Sequence, residues 1–187
     1  MLIDDPLKAA ILLPLVLVVT VCAVMDISTH RIPNIVLLPA LSVSLLINGL
    51  LAGFPGLGQC VLGLAAGMAV LFPLYYIGGT SAGDVKLLGV VGAYLGASGA
   101  ITAGLATFVF GGVLGLLFIA WRIIEPILAM HIEQLIRTTG TTGPSLIRTT
   151  ITRDKSKHAV FPYAPAIACG TYFTLWHLGY FSQVMGQ

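Results

Sequence analysis

Two aspartates, Asp26 and Asp84, stand inside or beside long apolar stretches of this 187-residue chain, and Lys86 follows two residues after the second. Ionisable groups in or bordering hydrocarbon cost roughly 2.5–3.5 kcal/mol on insertion scales, so those that occur usually have a task. Two carboxylates brought together in a low-dielectric site do not both ionise readily, and they share a proton near neutral pH. Such a pair can hydrolyse a carbonyl compound. The ionised partner draws a proton from water, the water attacks the carbonyl carbon, and the protonated partner polarises the carbonyl and helps the leaving group depart. The pair titrates as a unit, so the sequence leaves open which aspartate is acid and which is base. The competing reading makes each aspartate a cap on a helix end.

Local context favours chemistry. The run Gly78-Gly79-Thr80-Ser81-Ala82-Gly83 ahead of Asp84 consists of small residues, and irregular backbone at membrane depth is tolerated mainly where it lines a cavity. A peptide can approach such a run closely. Lys86 has two readings, a snorkelling interfacial lysine or a charge that helps keep one aspartate ionised. His30 follows Asp26 by four residues, but the Ile32-Pro33 step ends helical continuation, and a loop histidine is the preferred reading. His131, His158 and His177, and the cysteines Cys22, Cys60 and Cys169, lack metal-ligand spacing. No metal, cofactor or disulfide framework is expected.

The elements that must position these residues are membrane helices. Hydrophobic residues make up 57% of the chain and charged residues 9%, with a mean hydropathy of +1.00, whereas soluble domains carry about 25% charged residues. The net charge of +2 is too small to suggest nucleic acid as a partner; the partner indicated is the lipid bilayer. Crossing roughly 30 Å of hydrocarbon takes about 20 helical residues. Six such runs can be laid out, at about 8–25, 34–52, 57–77, 83–97, 100–124 and 159–180. Gly96-Ala97-Ser98-Gly99 reads as the turn between the fourth and fifth. The fold class is therefore all-α, a polytopic membrane protein of about six spans in one domain over residues 1–187.

Orientation follows from Lys and Arg, which short cytoplasmic loops retain. With both termini extracytoplasmic, Arg31, Lys86, Arg122, Arg137, Arg148, Arg153, Lys155 and Lys157 all fall inside, and Lys8 alone falls outside. Asp26 and Asp84 then lie at the same depth near the cytoplasmic face. The segment 125–158 looks soluble: Ile127, Leu128, His131, Ile132, Leu135 and Ile136 suggest an amphipathic interfacial helix, followed by a Thr/Gly loop. The first apolar run is not read as a cleaved signal, because Asp4 and Asp5 precede it and Met25-Asp26-Ile27 ends it.

These residues resemble those of the type IV prepilin peptidases, aspartyl peptidases of the GxGD type. Asp26-Ile27-Ser28-Thr29-His30-Arg31-Ile32-Pro33-Asn34 is similar to the family's first aspartate followed by a basic residue and Ile-Pro-Asn. Ser81-Ala82-Gly83-Asp84-Val85-Lys86-Leu87 is similar to the GxGD-Val-Lys element around the second, and Phe161-Pro162-Tyr163-Ala164-Pro165 to the Pro-Tyr-Gly-Pro segment that opens the last helix. The chain departs from the pattern twice. Ser81 replaces the first glycine of GxGD, so the loop has another shape if a positive φ is needed there, and Ala164 replaces the glycine between the prolines.

The resemblance implies that Asp26 and Asp84 are catalytic, with Ser81, Gly83, Lys86, Pro33, Asn34, Pro162 and Pro165 as site support. It implies a substrate, a prepilin or pseudopilin, whose short basic leader is removed after a glycine at the cytoplasmic face of a bacterial or archaeal cytoplasmic membrane. Nothing here resembles the N-terminal CxxC-bearing segment of bifunctional members, so the small peptidase-only form is expected. Two alternatives use the same charges: a small transporter with a proton relay, and a non-catalytic assembly partner in which the aspartates are caps.

Overall fold

A computed structural model describes residues 5–29, 32–138 and 163–179. The described residues form four helices, α1 (Asp5–Thr29), α2 (Asn34–Tyr76), α3 (Ala82–Thr138) and α4 (Ala164–His177). Three stretches, Ile11–Thr29, Asn34–Tyr76 and Ala82–Leu128, are long and apolar enough to cross a membrane. The protein is an α-helical, multi-pass membrane protein.

Two of the helices are interrupted at glycines whose positive φ other residues resist. Gly53 has φ 60° and ψ −143° inside α2, and Gly96 has φ 74° and ψ 179° inside α3. The first break leaves 34–52 and 54–76, roughly 28 Å and 34 Å long at about 1.5 Å per residue. The break in α3 falls on the first residue of the Gly-Ala-Ser-Gly turn read from the sequence. The helix predicted separately over 127–136 is instead a continuation of α3, which runs through Pro126 to Thr138. An interior proline removes one backbone hydrogen bond and kinks a helix without always ending it, more readily so in membrane helices. The predicted loop beyond 138 lies outside the described residues.

The chain divides into two compact units, Met1–Gly112 with Pro162–Gln187, and Val113–Phe161. In the second unit the described residues are helical, and Leu116, Trp121, Ile123 and Met130 are exposed, as suits a lipid-facing surface.

In the first unit α1 packs against α2 and α4. It buries Leu12, Leu15, Val19, Cys22 and Asp26, spaced alternately three and four residues apart, which is one stripe of a helix. Leu13, Leu17, Val24 and Ile27 are exposed. Asp26 therefore continues an apolar packing stripe and is carried inward by it.

Glycines bring α2 and α3 together. A Cβ on Gly63 would collide with the backbone of Gly92, one on Gly92 with that of Gly63, and one on Gly67 with the Leu88 carbonyl. Small residues permit this backbone approach, which is how helices associate when lipid offers no hydrophobic drive. Polar clasps add to it: the Tyr94 hydroxyl donates to the Ala40 carbonyl at 2.8 Å, and Asn48 Nδ2 to the Ala93 carbonyl at 3.4 Å. From Asp84 to Tyr94 every residue of α3 but Lys86 is buried, so the start of α3 is an interior segment of this unit.

Candidate active site

Asp84 is 3% exposed and occupies the third position of α3. Ser81 is the N-cap, since its carbonyl accepts from the backbone N–H groups of Asp84 and Val85 at 3.1 and 3.3 Å. Three donors converge on one carboxylate oxygen: Thr80 Oγ1 at 2.9 Å, Ser81 N at 2.9 Å and Ser81 Oγ at 2.7 Å, all to Oδ2. The Asp84 N–H returns a bond to Ser81 Oγ at 3.3 Å. This is a capping box, in which cap and third residue satisfy each other's orphan groups. The other oxygen, Oδ1, is buried and has no hydrogen-bond partner among the described residues. Leaving a buried acceptor unpaired costs about 1–3 kcal/mol, more when it is charged.

Asp26 is 5% exposed, near the end of α1. Its Oδ2 accepts from the Ala164 N–H at 3.0 Å. Ala164 is the first residue of α4, and helix N-termini present unsatisfied N–H groups together with the positive end of the helix dipole. Pro165, the next residue, has no N–H to satisfy and a φ suited to a first turn. Ala164 thus contributes its backbone, and replacing a glycine there removes no donor. Tyr163, the residue before it, is buried and lies with its hydroxyl against Gly111. The start of α4 binds Asp26 directly.

The remaining residues singled out from the sequence fall around this core. A Cβ on Gly83 would stand 3.1 Å from Ile32, so the chain leaving α1 runs against the start of α3. Pro33 is the N-cap of α2, and its carbonyl accepts from the Val36 N–H at 3.1 Å. Asn34 opens α2, and its Oδ1 accepts from Lys86 Nζ at 3.2 Å. Lys86 itself is exposed, about 200° around the helix from Asp84 at 100° per residue. It ties α3 to α2 rather than pairing with the buried carboxylate. Pro162, with His30 and Arg31, lies outside the described residues.

The Lys86–Asn34 bond gives a test. Lys86→Gln and Asn34→Ala should each lower thermal stability by no more than about 1 kcal/mol, and the double variant should cost little more than either single one, because both remove the same bond. Additive losses in a thermal-melt series would show that the two residues act separately.

Two contributors had no reading from the sequence: the Thr80 hydroxyl and the Ala164 N–H. A backbone donor leaves no mark in residue type, and Thr80 was one small residue in a run of them. The Ser81-x-x-Asp84 spacing could have signalled a capping box, and that signal also went unread.

Comparison with known proteins bears on this geometry. The model of the type IV leader peptidase family matches residues 13–116, a stretch that holds Asp26, Ser81, Asp84 and Lys86. Over 95 residues the chain is 41% identical to the prepilin leader peptidase/N-methyltransferase of Aeromonas hydrophila, covering 47% of this chain and 32% of that protein. It thus spans about a third of the length of the curated relative it matches. No solved structure matches.

Proposed function

The chain belongs to the type IV leader peptidase family, and on that premise we propose that it is an intramembrane aspartyl endopeptidase acting on type IV prepilins or pseudopilins. It removes their short basic leader after a glycine, at the cytoplasmic face of a bacterial or archaeal cytoplasmic membrane. Asp26 and Asp84 are the catalytic pair. The observation that carries this reading is the buried Asp84 carboxylate with Oδ1 unpartnered among the described residues.

In the reaction one carboxylate takes a proton from water as its oxygen bonds to the scissile carbonyl carbon. The partner gives its proton toward the carbonyl oxygen, and collapse of the tetrahedral species expels the new amine with a proton returned by the pair. A site at one membrane face suits a substrate whose basic leader stays in the cytoplasm while its apolar helix lies in lipid. Six crossings with both termini outside agree with this placement. The breaks at Gly53 and Gly96 divide two helices that are otherwise too long for one crossing, which raises the candidate crossings among the described residues from three to five; the sixth rests on the apolar run at 159–180 in the sequence.

The capping reading has support of its own, since Asp84 caps α3 and Asp26 binds the first N–H of α4. Capping accounts for Oδ2 of Asp84 and leaves Oδ1 unexplained. A cap alone would be better served by an oxygen open to water. The deciding experiment coexpresses the chain with a candidate prepilin and follows leader removal. Wild type should process it and Asp26→Ala and Asp84→Ala should not; processing by either variant would exclude the aspartate pair.

A further inference from the structure

Where the resembling family pattern places glycine, this chain has Ser81, and two of the three donors on Asp84 Oδ2 come from that residue. A glycine would supply only the N–H. The consequence is orientational. An oxygen that already accepts from Thr80 Oγ1, Ser81 N and Ser81 Oγ has no lone pair left for a proton or a substrate. Oδ1, buried and unpartnered among the described residues, retains all of its capacity.

We propose that Ser81 is a positioning residue for Asp84: its hydroxyl and N–H, with the Thr80 hydroxyl, hold Oδ2 and present Oδ1 as the reacting oxygen. This inference rests on the peptidase reading above. It assigns the proton traffic of Asp84 to a single atom, so that any proton Asp84 takes from water, or lends to the scissile carbonyl, passes through Oδ1. Rotation about the Cβ–Cγ bond would exchange the two oxygens, and the three donors on one side oppose it. Ser81 sits at an N-cap, a position that serine occupies readily.

Three substitutions, assayed with a purified prepilin on the full chain in lipid, separate this role from a structural one. Ser81→Gly removes the hydroxyl at a position where glycine is itself a good cap, so the fold is kept. It should lower kcat about tenfold with KM within about twofold, since the lost bond is one of several that hold Oδ2 and it acts on the reacting oxygen only through the orientation of the carboxylate. Ser81→Ala should behave like Ser81→Gly. Ser81→Thr keeps a hydroxyl at the same place and should retain most of the wild-type kcat. A Ser81→Gly chain with wild-type kcat overturns the proposal, and so does a joint loss in the glycine and threonine variants, which would indicate loop shape alone. Wild-type and Asp84→Ala controls read the peptidase hypothesis separately. If wild type fails to cleave, or Asp84→Ala cleaves, that hypothesis falls and the role of Ser81 falls with it; if the controls behave and Ser81→Gly is unaffected, only the positioning role falls.

Discussion

Exchanging Asp84 for asparagine should leave a folded protein that has lost leader cleavage by about 10²–10⁴-fold or more, the range that a positioned acid or base contributes. The amide oxygen can take the place of Oδ2 and accept from Thr80 and Ser81, which preserves the capping box at the start of α3. The amide nitrogen then stands where Oδ1 was, offering a donor where the chemistry needs a group that takes and returns a proton. Asp26→Asn should behave alike, since an amide oxygen can still accept from the Ala164 N–H. The alanine variants mix two effects, because each also removes a cap worth about 1 kcal/mol. Comparing melting temperature with turnover for the Asn and Ala series separates them. Asn variants should melt near wild type without activity, whereas Ala variants should melt lower and be inactive too. An asparagine variant that cleaves at a rate near wild type would reduce that aspartate to a cap.

The second large effect lies in the packing that brings α2 and α3 together. Gly92→Val should abolish the folded state or cost about 3 kcal/mol or more, at the upper end of overpacking penalties, because the colliding atoms belong to backbone that cannot swing aside. The Cβ would meet the Gly63 carbonyl, and the reciprocal Gly63→Val would meet that of Gly92. Valine is more apolar than glycine, so insertion into lipid is not impaired and the loss reports packing alone. Gly58→Val is the control, since nothing lies within 4 Å of a Cβ there. Fluorescence-detected gel filtration of detergent extracts should show a single peak for the Gly58 variant and aggregation for the Gly92 variant. Equal peaks for both would mean that the glycine contact does not hold the two helices.

Parts of this architecture are legible in the residues alone. The breaks at Gly53 and Gly96 fall where the apolar runs are punctuated by Gly-Phe-Pro-Gly and Gly-Ala-Ser-Gly, because glycine marks backbone that other residues resist. Burial of Asp26 follows from its register with Leu15, Val19 and Cys22. The direction of Lys86 was available from helical spacing too, since a residue two positions on lies on the opposite side of a helix. Its nearness to Asp84 in sequence obscured this. The continuation of α3 past Pro126 was not legible, because a charged residue followed by proline reads as a stop when no tertiary partner is known. The Ala164 N–H was hidden for a deeper reason: any residue but proline offers the same donor, and only the fold decides which one reaches a carboxylate 138 residues away.

The most direct measurement reconstitutes the purified chain in lipid vesicles with a purified prepilin and identifies the products by mass. Wild type should yield two fragments that divide immediately after the glycine ending the basic leader, and Asp26→Asn and Asp84→Asn should leave the precursor intact. Precursor left whole by wild type, or the same two fragments from either asparagine variant at the wild-type rate, would contradict a peptidase built on these two aspartates.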